Sequence, residues 1–175
     1  MISIVSSAGS SKRGRKRVIR HATRSSGFLC AGIVLAIVLS SCATVPYVQK
    51  EDRVYKLIEL INRGEVTEVP GLVTTPFLVD GEIVLLQKDL VDFWDNLYNA
   101  GFQIRNPRIR QNRFAMPEDA RMFRDSMEVR TFFKKYIDTN TSLVEIESAD
   151  GTYYFLLNRE VKGYPRIQGF RGPVQ

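Results

Sequence analysis

The chain has little cysteine and less histidine, and neither falls where a folded domain could use it. Of its two cysteines, Cys30 lies inside an apolar run and Cys42 closes that run, and the one histidine is His21. Residues 43–175 therefore have no internal disulfide, no thiolate metal site and no imidazole for acid–base work or metal ligation. An oxidising compartment is compatible with this but leaves no mark. A glycine-rich phosphate loop, a nucleophile elbow, a zinc spacing and a calcium-loop pattern are also missing. No metal or other cofactor and no catalytic residue is expected. Acid, in turn, is missing from the first 27 residues, which carry Lys12, Arg13, Arg15, Lys16, Arg17, Arg20 and Arg24. Those seven positive charges outweigh the formal net charge of +6 and leave about −1 on the remainder. The basicity belongs to a leader, and no nucleic-acid partner is expected.

Long hydrophobic runs are scarce too. The single one, Gly27 to Leu39, has 13 residues and would reach only about 20 Å as a helix, short of the roughly 30 Å core of a bilayer. Basic residues before it hold that end on the cytoplasmic side, and small residues close it. This is the pattern of a processed export signal; the competing reading is an uncleaved single-pass anchor. The closing residues Leu39-Ser40-Ser41-Cys42 resemble the lipobox of bacterial lipoproteins, an aliphatic residue and two small ones before a cysteine. The resemblance implies cleavage between Ser41 and Cys42 and a thioether-linked diacylglyceryl group on Cys42, a covalent lipid rather than a cofactor. Two or three acyl chains suffice for stable anchoring where one does not. Ala43, in place of an aspartate, leans towards an outer membrane. The organisation expected is thus a signal peptide over 1–41, a lipidated N-terminus and short linker over 42–50, and one α+β domain over 51–175.

Within that domain the apolar spacing of Val54, Leu57, Ile58 and Ile61 predicts a helix from Glu51 to Asn62, stopped by Arg63-Gly64. Asp80-Gly81 between two apolar runs predicts a tight hairpin. A second helix is expected from Gln87 to Asn99, ended by Gly101. Phe102 to Arg105 reads as a short strand. Pro117 to about Ile137 reads as helix with a break near Asp125-Ser126, with a strand over part of 127–137 as the rival. Leu143–Glu147 and Thr152–Leu157, joined around Asp150-Gly151, predict a second hairpin, and Gly163–Phe170 a last, edge strand. Helices are expected on one face of a curved antiparallel sheet. This order of elements, over residues 51–104 and Tyr153–Phe170, resembles the nuclear-transport-factor-like or cystatin-like cone fold. That resemblance implies a concave cavity but no particular function, since such folds host enzymes, carriers and non-catalytic partners.

Chemistry-bearing residues are few. Asp52, Asp80, Asp119 and Asp150 occupy helix-start or turn positions, Asp92 and Asp95 flank Trp94, and Glu145 and Glu147 share one face of a strand. All read as solvated. Arg105, Arg108, Arg110 and Arg113 lie close together with no acid between them; they are candidates for binding phosphate or carboxylate groups of a lipid headgroup or wall polymer, or else form a solvated loop. The aromatic residues Phe77, Trp94, Tyr98, Phe132, Phe133, Tyr136, Tyr153, Tyr154, Tyr164 and Phe170 either line a pocket or pack as core. The function expected is a lipid-anchored envelope module that binds a protein, lipid headgroup or wall component without catalysis. The alternative is a small-molecule enzyme of the same cone-like fold using a buried Asp or Glu.

Overall fold

The computed structural model describes residues 48–64 and 68–174. Residues 1–47, with the expected signal peptide, its cleavage site at Ser41 and the expected lipidation at Cys42, lie outside the described residues. Helix α1 spans Glu51–Asn62, and its expected stripe is buried together with Leu60. Glu51 and Asp52 stand in its first turn, where the helix dipole favours negative charge. A single helical turn, α2 (Val69–Leu72), leads into strand β1 (Val73–Val79), and β2 (Glu82–Val84) folds back on it. The turn between them has φ of 47° at Asp80 and 90° at Gly81, the left-handed pair a two-residue hairpin needs. Helix α3 (Gln87–Asn99) buries Leu90 and Trp94. It stops where Gly101 turns to φ 71°: the Gly101 N–H donates to the Tyr98 carbonyl and the Phe102 N–H to that of Leu97, at 2.9 and 3.0 Å.

The next stretch departs from expectation. Residues 102–107 form no strand; the strand is β3 (Arg108–Phe114), the arginine segment itself. The reason is local. Asn62 brackets Ile104 as a neighbouring strand would, accepting its N–H at 2.8 Å and donating to its carbonyl at 3.0 Å. Asn106 then turns to φ 52° ahead of Pro107, which resets the chain. A 3-10 turn (Pro117–Asp119) and the short helix α4 (Ala120–Phe123) follow. Helix α5 (Met127–Tyr136) starts afresh after Ser126, whose hydroxyl accepts the Val129 N–H at 3.3 Å. The rival strand reading of this segment is thereby overturned: capped by Ser126, it buries Val129, Phe132 and Phe133 at helical spacing. Strands β4 (Ser142–Ser148), β5 (Gly151–Val161) and β6 (Tyr164–Val174) complete the domain. None of the helices among the described residues is long and apolar enough to cross a membrane.

The six strands lie in the order β2-β1-β6-β5-β4-β3. The pairing is antiparallel except between β1 and β6, which run parallel. The expected cone is not formed, and the sheet is neither closed, strongly curled nor wholly antiparallel. Its edges, β2 and β3, are separated by four strands. Nor do the helices keep to one face. Side chains alternate along β5, so that Tyr153, Phe155 and Leu157 join α1 and α3 in one apolar cluster. Leu156 points the other way, into a second cluster with Phe123, Val129, Phe132 and Phe133. Each fully buried side chain of this size is worth about 1.5–3 kcal/mol, so both faces stabilise the sheet. The concave binding face that the cone resemblance implied is filled: Trp94, Phe77, Tyr153 and Phe170 are core.

Candidate functional site

Strand β3 carries three of the four candidate arginines, on an edge of the sheet, and Arg105 just precedes it. The structure brings carboxylates to three of the four. Arg105 grips Asp150 in the β4–β5 turn through two nitrogens, Nε to Oδ2 at 3.0 Å. That contact holds the Asp150 carboxyl below the usual carboxylate range, the hydrogen bond from Arg105 outweighing desolvation. Arg110 pairs with Glu147 on the neighbouring strand. Arg113 makes a bidentate pair with Asp119, at 2.6 and 2.7 Å. Arg108 is exposed and has no ion-pair partner among the described residues. The cluster is thus largely a set of ties between β3 and its surroundings, with one cation left facing outwards.

Asp119 is the carboxylate that the sequence misplaced. Read as a solvated helix start, it is buried. Besides Arg113 it accepts the Met116 N–H at 2.7 Å, which closes the 3-10 turn. Its oxygens are occupied by donors, and the Arg113 guanidinium is pushed up chiefly by this hydrogen bond. Asp125 and Glu128 are exposed beside the start of α5, whereas Asp95 has a buried Oδ1 without a hydrogen-bond partner among the described residues. Asp125 is lowered by its hydrogen bond from Arg130, and Glu128 by hydrogen bonds from its own N–H and from Ser126. No three side chains of His, Cys, Asp or Glu gather as a metal site would require among the described residues.

An apolar groove of about 490 Å³, not foreseen from the sequence, runs between β2 and α5, lined by Ile83, Leu85, Met127, Thr131, Phe132 and Tyr136. The apolar run that follows the Asp80-Gly81 turn, residues 82–86, is strand only as far as Val84, which leaves Leu85 and Leu86 outside the ladder and largely exposed. Met127, at the start of α5, is 79% exposed. The sequence signal was an apolar pair abutting a helix start and a methionine at a solvent-facing helical position.

The first described residues of the domain are held through Gln49. Gln49, assigned to the linker in the sequence, is buried. Its N–H donates to the Ser142 hydroxyl at 3.0 Å, its carbonyl accepts from Asn112 Nδ2 at 2.7 Å, and its side-chain amide donates to the Asn158 carbonyl. Asn158 in turn reaches Thr141 Oγ1 at 3.3 Å, and that hydroxyl donates to Gln168 Oε1 at 2.7 Å. These bonds join the chain's Gln49 to four strands, although Asn112 Oδ1 is buried without a hydrogen-bond partner among the described residues. Gln49 is tied to β3, β4 and β5 at one end of the sheet. Compared with family models, with curated proteins and with solved structures, the chain matches none.

Proposed function

We propose that this protein is a bacterial envelope lipoprotein, lipidated on Cys42 after removal of residues 1–41, that carries a small non-catalytic binding or structural domain. The observation that carries the reading is the sequence Leu39-Ser40-Ser41-Cys42 directly after a basic and then an apolar stretch. The domain's own chemistry supports the second half. Asp119, a buried carboxylate of the kind a small-molecule enzyme would use, already accepts from Arg113 and from the Met116 N–H. Surfaces open to a partner among the described residues include the exposed Arg108 on the edge strand and the apolar groove beside α5. Those suit an envelope protein or an anionic wall polymer. Ala43 favours the outer membrane.

The test is intact mass with metabolic lipid labelling, on the wild type and on Cys42→Ser expressed in a bacterium. The wild type should lose residues 1–41 and gain a lipid-sized mass that the variant lacks. A wild-type chain of full length without lipid would overturn the reading and return the basic leader to the working protein.

A further inference from the structure

We infer that the domain rests end-on against the bilayer, with the corner formed by Val48, Phe114 and Met116 in the interfacial layer and the opposite end of the sheet turned away from it. This rests on the lipoprotein reading and adds which surface meets lipid. Three observations converge on that corner. The first is reach. Gln49 is seven residues beyond Cys42, and seven extended residues span at most about 25 Å. Because Gln49 is tied to Asn112, Ser142 and Asn158, that limit applies to a defined end of the sheet.

The second is what this end exposes. Phe114 pairs with Ser142 in the β3–β4 ladder, the residue whose hydroxyl takes the Gln49 N–H. Phe114 therefore sits beside the incoming chain on the same face, and Met116 follows just past the strand. Val48, Phe114 and Met116 are 40%, 41% and 38% exposed. Large apolar side chains grouped around an anchor mark a surface that meets something apolar, and the anchor itself supplies that surface. The third is charge. Around the same end Lys50, Arg159 and Arg166 are offset by Glu51, Asp52 and Asp138, all exposed. The contact is accordingly apolar and indifferent to headgroup charge.

The register then places the rest. Strand β4 has seven residues and covers about 20 Å. Ser142 stands at its near end and Ser148, next to the Ala149-Asp150 turn, at its far end. Arg105 and Arg108 belong to that far end, through Asp150 and Glu147. The exposed Arg108 thus faces away from the lipid, available to a partner in the envelope.

Once Cys42 is lipidated and the leader lost, the chain has no other cysteine, so single cysteines can carry a fluorophore. Full lipidated Met116→Cys, Met127→Cys and Ala149→Cys proteins would be labelled in phosphatidylcholine vesicles doped with nitroxide-labelled lipid. The Met116 position should be quenched at least threefold more than the Ala149 position, with Met127 close to Ala149. Adding an anionic lipid should leave the order unchanged. Stronger quenching at Met127 would mean that the groove beside α5 lies on the membrane and would overturn the proposal. Equal, weak quenching at all three on vesicle-bound protein would overturn it as well, with the domain held clear of the bilayer. Failure of the anchor itself is distinguishable: a chain without lipid on Cys42 would not float with the vesicles, and the proposal would fall with the reading beneath it.

Discussion

Arg113 and Asp119 show how little a residue's type says about its work. Four arginines within nine positions look alike in sequence, yet the exposed Arg105–Asp150 pair and the enclosed Arg113–Asp119 pair differ in consequence. The Asp119 side chain is 7% exposed and that of Arg113 27%. Screening by water is therefore weak for this pair, and removing one partner leaves the other desolvated and unmatched. Asp119→Ala should destabilise the domain by about 3 kcal/mol, read from chemical denaturation. Arg105→Ala, at a solvent-facing pair, should leave the midpoint nearly unchanged. Equal effects from the two would mean that Asp119 is not enclosed. Spacing in the sequence could not separate them, because burial of Asp119 depends on α4 and α5 packing over the sheet.

Among the elements, those governed by short-range chemistry were legible. The helices α1 and α3 lie where apolar periodicity placed them, and the Asp80-Gly81 turn has the backbone its residues favour. The strand expected at Phe102–Arg105 was lost to a side-chain competitor, Asn62, which is 42 residues away from Ile104. The join between β1 and β6 was not legible at all. It depends on close approach at Gly169, where an added Cβ would stand 2.9 Å from Leu156 Cδ1 and 3.2 Å from the Leu78 carbonyl oxygen. Gly169→Ala should therefore cost about 1–3 kcal/mol by overpacking, seen as a lowered denaturation midpoint. A variant as stable as the wild type would mean that the two strands do not pack this tightly.

At the scale of the molecule, the unbroken apolar run Tyr153–Leu157 was the available sign of a two-sided sheet, since a strand covered on both faces need not alternate with polar residues. The cone expectation took the same run as one-faced. With β5 and β6 central and β2 and β3 at the edges, protection should follow the same order. Hydrogen exchange by mass spectrometry should find amides of β5 slowest, and those of β2 and the outward edge of β3 faster by at least tenfold. Equal protection of β3 and β5 would mean that the β3 edge is covered by a further partner. The polar chain from Gln49 to Gln168 also belongs to this scale, because it joins the chain's entrance to strands far along the sequence.

By itself the sequence determined the basic N-terminal stretch, the short apolar run and the cysteine that closes it, together with helices α1 and α3 and the turns at Asp80-Gly81 and Asp150-Gly151. Each of these rests on residues within a few positions of one another, where periodicity, capping and turn chemistry act. Only the tertiary structure decided that β1 lies parallel to β6, that both sheet faces are covered, that Asp119 is enclosed and that Gln49 is held. Those outcomes depend on which distant segments exclude water together. The bond from Gln49 to Ser142 spans 93 positions, and no local pattern specifies a partner that far away.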